Sequence, residues 1–191
     1  MTNDPAFLPA HLLSAAFDVG ELSPSEVLEA QLSRIERHGE KLAAFTEVYA
    51  DDARQAAASA TDAIRRGWRI GPLHGVTIAL KDLCEIKGRE TKGGTAANAG
   101  RISTYTATIA ERALAAGMII IGKTHTVEFA MGGWGTNQRL GTPWNPWDAN
   151  IHRAPGGSSS GSGVAVAAGL TTMPRATGTG GSVRLPAAWN G

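Results

Sequence analysis

The chain has 191 residues, enough for one domain with a substantial core. Its 18 Lys and Arg stand against 17 Asp and Glu, a formal charge of +1 with the basic residues scattered, so composition offers no electrostatic footprint for nucleic acid or an anionic membrane. A single cysteine, Cys84, excludes an internal disulfide framework and fits a reducing compartment.

The start, Met1-Thr-Asn-Asp-Pro5, lacks the basic and apolar regions of a secretory leader, and no window approaches eighteen uninterrupted apolar residues. A soluble, cytoplasmic protein is expected. Leu22-Ser-Pro-Ser-Glu26 reads as a helix start: Ser23 caps, Pro24 takes the first helical position and Glu26 closes a capping box. Val27, Leu28, Leu32 and Ile35 then recur on one face, with Glu29, Arg34, Glu36 and Arg37 on the other and an end expected near Gly39. An alanine-rich helix is expected from about residue 50 to 66, stopped by Gly67.

From Gly75 the pattern turns α/β. Val76 to Leu80 reads as a strand, Thr108 to Ala116 as a helix and Met118 to Ile121 as a buried strand, which predicts a sheet covered by helices on both faces. Residues 134–155 read as a loop limited by Pro143, Pro146 and Pro155 and packed down by Trp134, Trp144 and Trp147. Of the 24 glycines, nine fall between Gly156 and Gly191, so the last third is built around accessible backbone N–H groups, interrupted by the apolar helical segment Val164 to Leu170.

Three patterns fail on context. Gly117-Met-Ile-Ile-Ile-Gly-Lys-Thr124 fits the phosphate-loop spacing, but its middle is an apolar strand whose N–H groups belong to a sheet. Gly157-Ser-Ser-Ser-Gly161 fits a nucleophile elbow at Ser159, but residues 149–155 make a poor strand. The five histidines form no metal-ligand spacing, so no metal and no cofactor are expected.

Three distant residues stand in marked motifs: Lys81 at the end of Gly75-Val-Thr-Ile-Ala-Leu80, Ser158 in Gly156-Gly-Ser-Ser-Ser-Gly-Ser-Gly163, and Ser182 in Thr179-Gly-Gly-Ser-Val-Arg184. With these motifs the chain resembles the amidase signature family over nearly its whole length. The resemblance implies an α/β fold with a mixed β-sheet covered by helices, incomplete at the carboxy terminus. Residues 1–70 would form a helical segment packed on the core, and residues 71–191 the amino-terminal part of the amidase core. It implies cleavage of C–N amide bonds through an acyl-serine intermediate, with Lys81 as neutral base, Ser158 after a cis peptide as relay and Ser182 as nucleophile. The backbone of Thr179, Gly180, Gly181 and Ser182 would form the oxyanion hole, while Arg184 and Pro186 brace that loop and Met131 and Gly132 line the substrate. Gly178 departs from the family, which has an aspartate there.

The substrate implied is a small-molecule linear amide, with no direct contact to nucleic acid or membrane. The loop Gly132 to Thr136 and the helix at Gly163 to Ala168 are closer to general amidases. The alternatives are the amidase (A) subunit of a tRNA-dependent amidotransferase releasing ammonia from glutamine, and a truncated, non-catalytic amidase fragment. The partners are accordingly a second copy of the chain or amidotransferase subunits.

Overall fold

The computed structural model describes residues 4–191; Met1 to Asn3, part of the amino-terminal stretch read above, lie outside them. Four strands form one mixed sheet in the order β1-β3-β2-β4: β1 is Phe45–Val48, β2 Thr77–Lys81, β3 Ile119–Thr124 and β4 Met173–Arg175. β2 runs parallel to β3 and β4, and β1 closes the edge antiparallel to β3. Among the described residues six α-helices accompany them: α1 Ala10–Val19, α2 Pro24–Leu42, α3 Ala50–Arg65, α4 Thr108–Ala115, α5 Ser160–Ala167 and α6 Arg184–Asn190.

The alternation along β2 builds two cores. Ile78 and Leu80 pack with Leu13, Phe17, Val27, Ala110 and Met118, joining α1, the start of α2 and α4 to one face. Ala79 packs with Ile119, Ile121, Leu28, Leu32, Ala53 and Ala57, joining α2 and α3 to the other. A strand covered on both sides is apolar at nearly every position, which is why β2 is legible as a continuous run.

α2 opens as expected: the Ser23 hydroxyl accepts from the Glu26 N–H at 3.3 Å, and the Ser23 N–H donates to the Glu26 carboxylate at 2.8 Å. It ends later than Gly39. The helix continues to Leu42 because Leu42 is buried against Ala44, Val164 and Ala165, and Ala43, at φ 46°, takes the left-handed turn instead. Residues 1–70, expected as helical, also supply β1. Its four residues are all half-buried and carry no apolar alternation, so pairing with β3 makes the strand.

β3 runs beyond the apolar stretch through Gly122, Lys123 and Thr124. Opposite Ile78 and Ala79 its partners are Ile120 and Gly122, so Ile121 is an extra residue. That irregularity switches the alternation: Ile119 and Ile121 face α2 and α3, and Thr124 faces α5, while Lys123 turns to the opposite side. A Cβ at Gly122 would lie 2.3 Å from the Glu47 carbonyl, so this glycine permits the approach of β1 and cradles no phosphate.

Residues 134–155 contain no regular helix or strand. Of their tryptophans, Trp144 packs down, stacked on His152 at 4.4 Å between ring centroids. Contrary to expectation, Trp134 and Trp147 are 68% and 75% exposed. The Trp147 indole N–H donates to the Asn190 carbonyl, but the loop lacks a second apolar layer to cover the ring.

Candidate active site

Lys81, the last residue of β2, faces the α5 side of the sheet and is fully buried. Its Nζ lies 2.8 Å from the Ser158 hydroxyl and 3.3 Å from the Thr177 carbonyl. Burial pushes its pKa down to about 8, and no carboxylate opposes this. Asp82 is not in its way. The next residue along a strand points to the opposite face, and there Asp82 meets Lys123.

Ser158 is equally buried, and the Gly157–Ser158 peptide is cis. Its carbonyl accepts from the Val127 N–H and from the Thr126 hydroxyl, each at 3.0 Å, and Gly157 donates its N–H to the Gly133 carbonyl at 2.7 Å. A Cβ on Gly157 would sit 2.7 Å from the Gly135 nitrogen and 2.8 Å from the Gly132 carbonyl, so the segment 132–135 lies directly on this peptide. Ser159 stands at the start of α5, fully buried, and donates its hydroxyl to the Thr177 carbonyl at 3.2 Å.

Ser182 is half-buried in the turn before α6. Its carbonyl accepts from the Ser159 N–H at 3.2 Å, which brings the turn against the start of α5. No hydrogen bond joins its hydroxyl to Ser158 among the described residues. The N–H groups of Thr179, Gly180, Gly181 and Ser182 donate to no backbone acceptor among the described residues. At Gly178, where the family resemblance expects aspartate, a Cβ would lie 3.0 Å from Ser182 Cβ and from the Ser182 nitrogen. Leu185 spans the turn and the neighbouring loop, approaching both the Gly133 and Gly181 Cβ positions. Arg184 is exposed, whereas Pro186 is buried with its backbone against Gly156.

Met131 and Gly132 sit on the rim beside Val127 and Trp134, with Met131 82% exposed. Three contributors are absent from the sequence reading. Thr177 acts through a carbonyl, which has no residue signature. Thr126 and Asn137 hold the rim: Asn137 donates to the Gly94 carbonyl at 2.7 Å and to the Thr126 carbonyl at 3.2 Å. A buried asparagine in a loop is a signal of such bridging only once its burial is known. His125, buried without an Nδ1 partner, is held near pKa 4 by its burial.

The family model for Amidase matches residues 26–191. The chain is 45% identical over 186 residues to the A subunit of glutamyl-tRNA(Gln) amidotransferase from Symbiobacterium thermophilum, covering 96% of this chain and 38% of that protein. Its fold superposes on the native peptide amidase of Stenotrophomonas maltophilia with a TM-score of 0.87 at 35% identity, over 96% of this chain and 38% of that one. Fatty acid amide hydrolase matches with a TM-score of 0.88 at 27% identity, over 100% of this chain and 34% of its own. The chain thus spans less than half the length of these relatives. A family model covering most of the sequence, with a matching fold, places the chain in the amidase signature family.

Proposed function

We propose that the chain carries an amide-cleaving centre in which Ser182 is the nucleophile, Ser158 the relay and Lys81 the base. The observation that carries this reading is the 2.8 Å contact between two fully buried groups, the Lys81 amine and the Ser158 hydroxyl. A buried lysine beside a hydroxyl serves no packing purpose, and desolvation favours the neutral amine that a base must be.

The proton balance is closed. Neutral Lys81 accepts the Ser158 proton while Ser158 Oγ accepts that of Ser182, whose oxygen bonds to the amide carbon. The carbonyl oxygen, now negative, meets the open N–H groups of residues 179–182, each donor of this kind contributing about 3 kcal/mol. When the C–N bond breaks, the proton returns through Ser158 to the leaving nitrogen. Water then releases the acyl group by the same route. The Ser182 hydroxyl must align with Ser158 as substrate seats, consistent with catalytic hydrogen bonds that tighten only in the loaded site.

The substrate is a linear amide and the setting cytoplasmic; among the described residues no helix is long and apolar enough to cross a membrane. A second reading is favoured by the curated relatives: the role of an amidotransferase A subunit, with partner subunits in place of a second copy of the chain. A serine-directed fluorophosphonate tests the centre. The adduct is expected on Ser182 and not on Ser158 or Ser159, and Ser182→Ala should abolish it. No labelling of the intact chain would favour a non-catalytic role, and ammonia release from glutamine only with partner subunits would favour the second reading.

A further inference from the structure

On the other face of the sheet from Lys81, level with Leu80 in the β2–β3 register, lies a second buried lysine. Lys123 and Asp82 are both at most 1% exposed, their charged groups 3.4 Å apart. Lys123 Nζ also donates to the Glu90 carbonyl at 2.7 Å and to the Thr91 hydroxyl, and the Asp82 carboxylate accepts from the Lys92 N–H. The Asp82 N–H donates to the Thr124 carbonyl at 3.0 Å, continuing the ladder one residue past β2, and the Asp82 carbonyl accepts from the Gly93 N–H at 2.9 Å. Through this loop the pair reaches the site again. The Phe129 N–H donates to the Gly93 carbonyl, Asn137 bridges Gly94 to Thr126, and Thr126 holds the Ser158 carbonyl.

Stability alone is a poor reason for such a pair, since well-packed apolar residues commonly replace a buried ion pair at no cost. Its place in the chain gives a better one. Lys81 and Asp82 are neighbours, and their backbone is fixed by what Asp82 meets. We propose that the Asp82–Lys123 pair is a positioning device for Lys81: it anchors the strand end that aims Lys81 at Ser158, and it balances the charge behind the base. This rests on the reading of Lys81 as the base.

The surrounding charges are few. On the face of Ile78 and Leu80 stand Cys84, whose thiol burial pushes up, Arg175 of β4, paired with Leu80, and around the Asp82–Lys123 pair Lys92, Glu85 and Glu47, with Arg89 over Tyr49. An unbalanced charge left across the sheet raises the pKa of Lys81 if it is negative and lowers it if it is positive.

The test is the pH dependence of fluorophosphonate labelling of Ser182 in the intact chain, which rises as Lys81 loses its proton. Lys123→Met leaves a carboxylate unbalanced and should move that rise up by about one pH unit; Asp82→Asn leaves a cation and should move it down by about as much. The double variant should return the rise to its original position. Equal losses of rate at every pH, with the rise unmoved, would overturn the proposal and leave a merely structural pair. Asp82→Asn, the milder change, decides by its direction if Lys123→Met does not fold. A wild-type chain that fails to label at all defeats the reading of Lys81 as base and this proposal with it, whereas labelling with unmoved profiles defeats this proposal alone.

Discussion

The two halves of the candidate site are built differently. Lys81 and Ser158 are fully buried, one at the end of a strand covered on both faces and the other pinned by two donors to its carbonyl. Ser182 stands in a turn whose residues 178–180 are exposed, tied to the rest through the Ser159 N–H and the packing of Leu185. The difference matches the roles proposed for the two halves. A base needs exclusion from water to be neutral at moderate pH, while a nucleophile and oxyanion donors need access to substrate. Burial is concentrated around the proposed base, and exposure around the proposed nucleophile.

The largest expected effect falls on the buried half. Lys81→Ala should lower the Ser182 acylation rate by about 10²–10⁴, the range for losing a general base, and Lys81→Arg should not restore it because guanidinium stays protonated. Single-turnover labelling measures both, and a fully active arginine variant would break the assignment of roles between the two halves.

Next is the pH profile. With Lys81 as the proposed base, the neutral amine would be the working form, so acylation should rise with pH through about 8 and level off above it; below that value the rate should fall about tenfold per unit. A rise centred near the ordinary lysine value would mean that the buried half admits water.

A third, intermediate effect tests the join between the halves. A Cβ on Gly161 in α5 would lie 2.1 Å from the Ala44 carbonyl and 2.5 Å from the His125 nitrogen, both backbone atoms that cannot swing aside. Gly161→Ala should cost about 3 kcal/mol in urea unfolding. It should also slow labelling, because the start of α5 follows directly on Ser158 and carries the donor to Ser182. Unchanged stability would show that α5 can slide.

The smallest effect belongs to the exposed turn. Gly178→Asp places its Cβ at a tight distance from the Ser182 Cβ and from the Ser182 and Val183 nitrogens, limits the freedom of the unfolded turn and puts a carboxylate beside N–H groups that have no backbone acceptor. A gain of about 0.5–1 kcal/mol in stability is expected, with labelling raised a few-fold. Slower labelling instead would mean that substrate needs the space this glycine leaves.

What could be read without coordinates depended on how local the physics was. The capping box at Ser23, the helix stopped at Gly67 and the apolar β2 follow from contacts within a few residues or from a run too apolar to lie anywhere but inside. The motifs around Lys81, Ser158 and Ser182 were legible as residue types in a spacing. Other features came from contacts between distant segments. β1 is a strand because β3 offers it an edge, and α2 outlasts Gly39 because Leu42 finds a pocket under α5. One extra residue at Ile121 turns Lys123 away from Lys81, so that two lysines that look alike in sequence face opposite sides of one sheet. Residue types along the chain set which groups are available; burial and strand register, which depend on partners far along the chain, settled which of them lost their water and what each one touches.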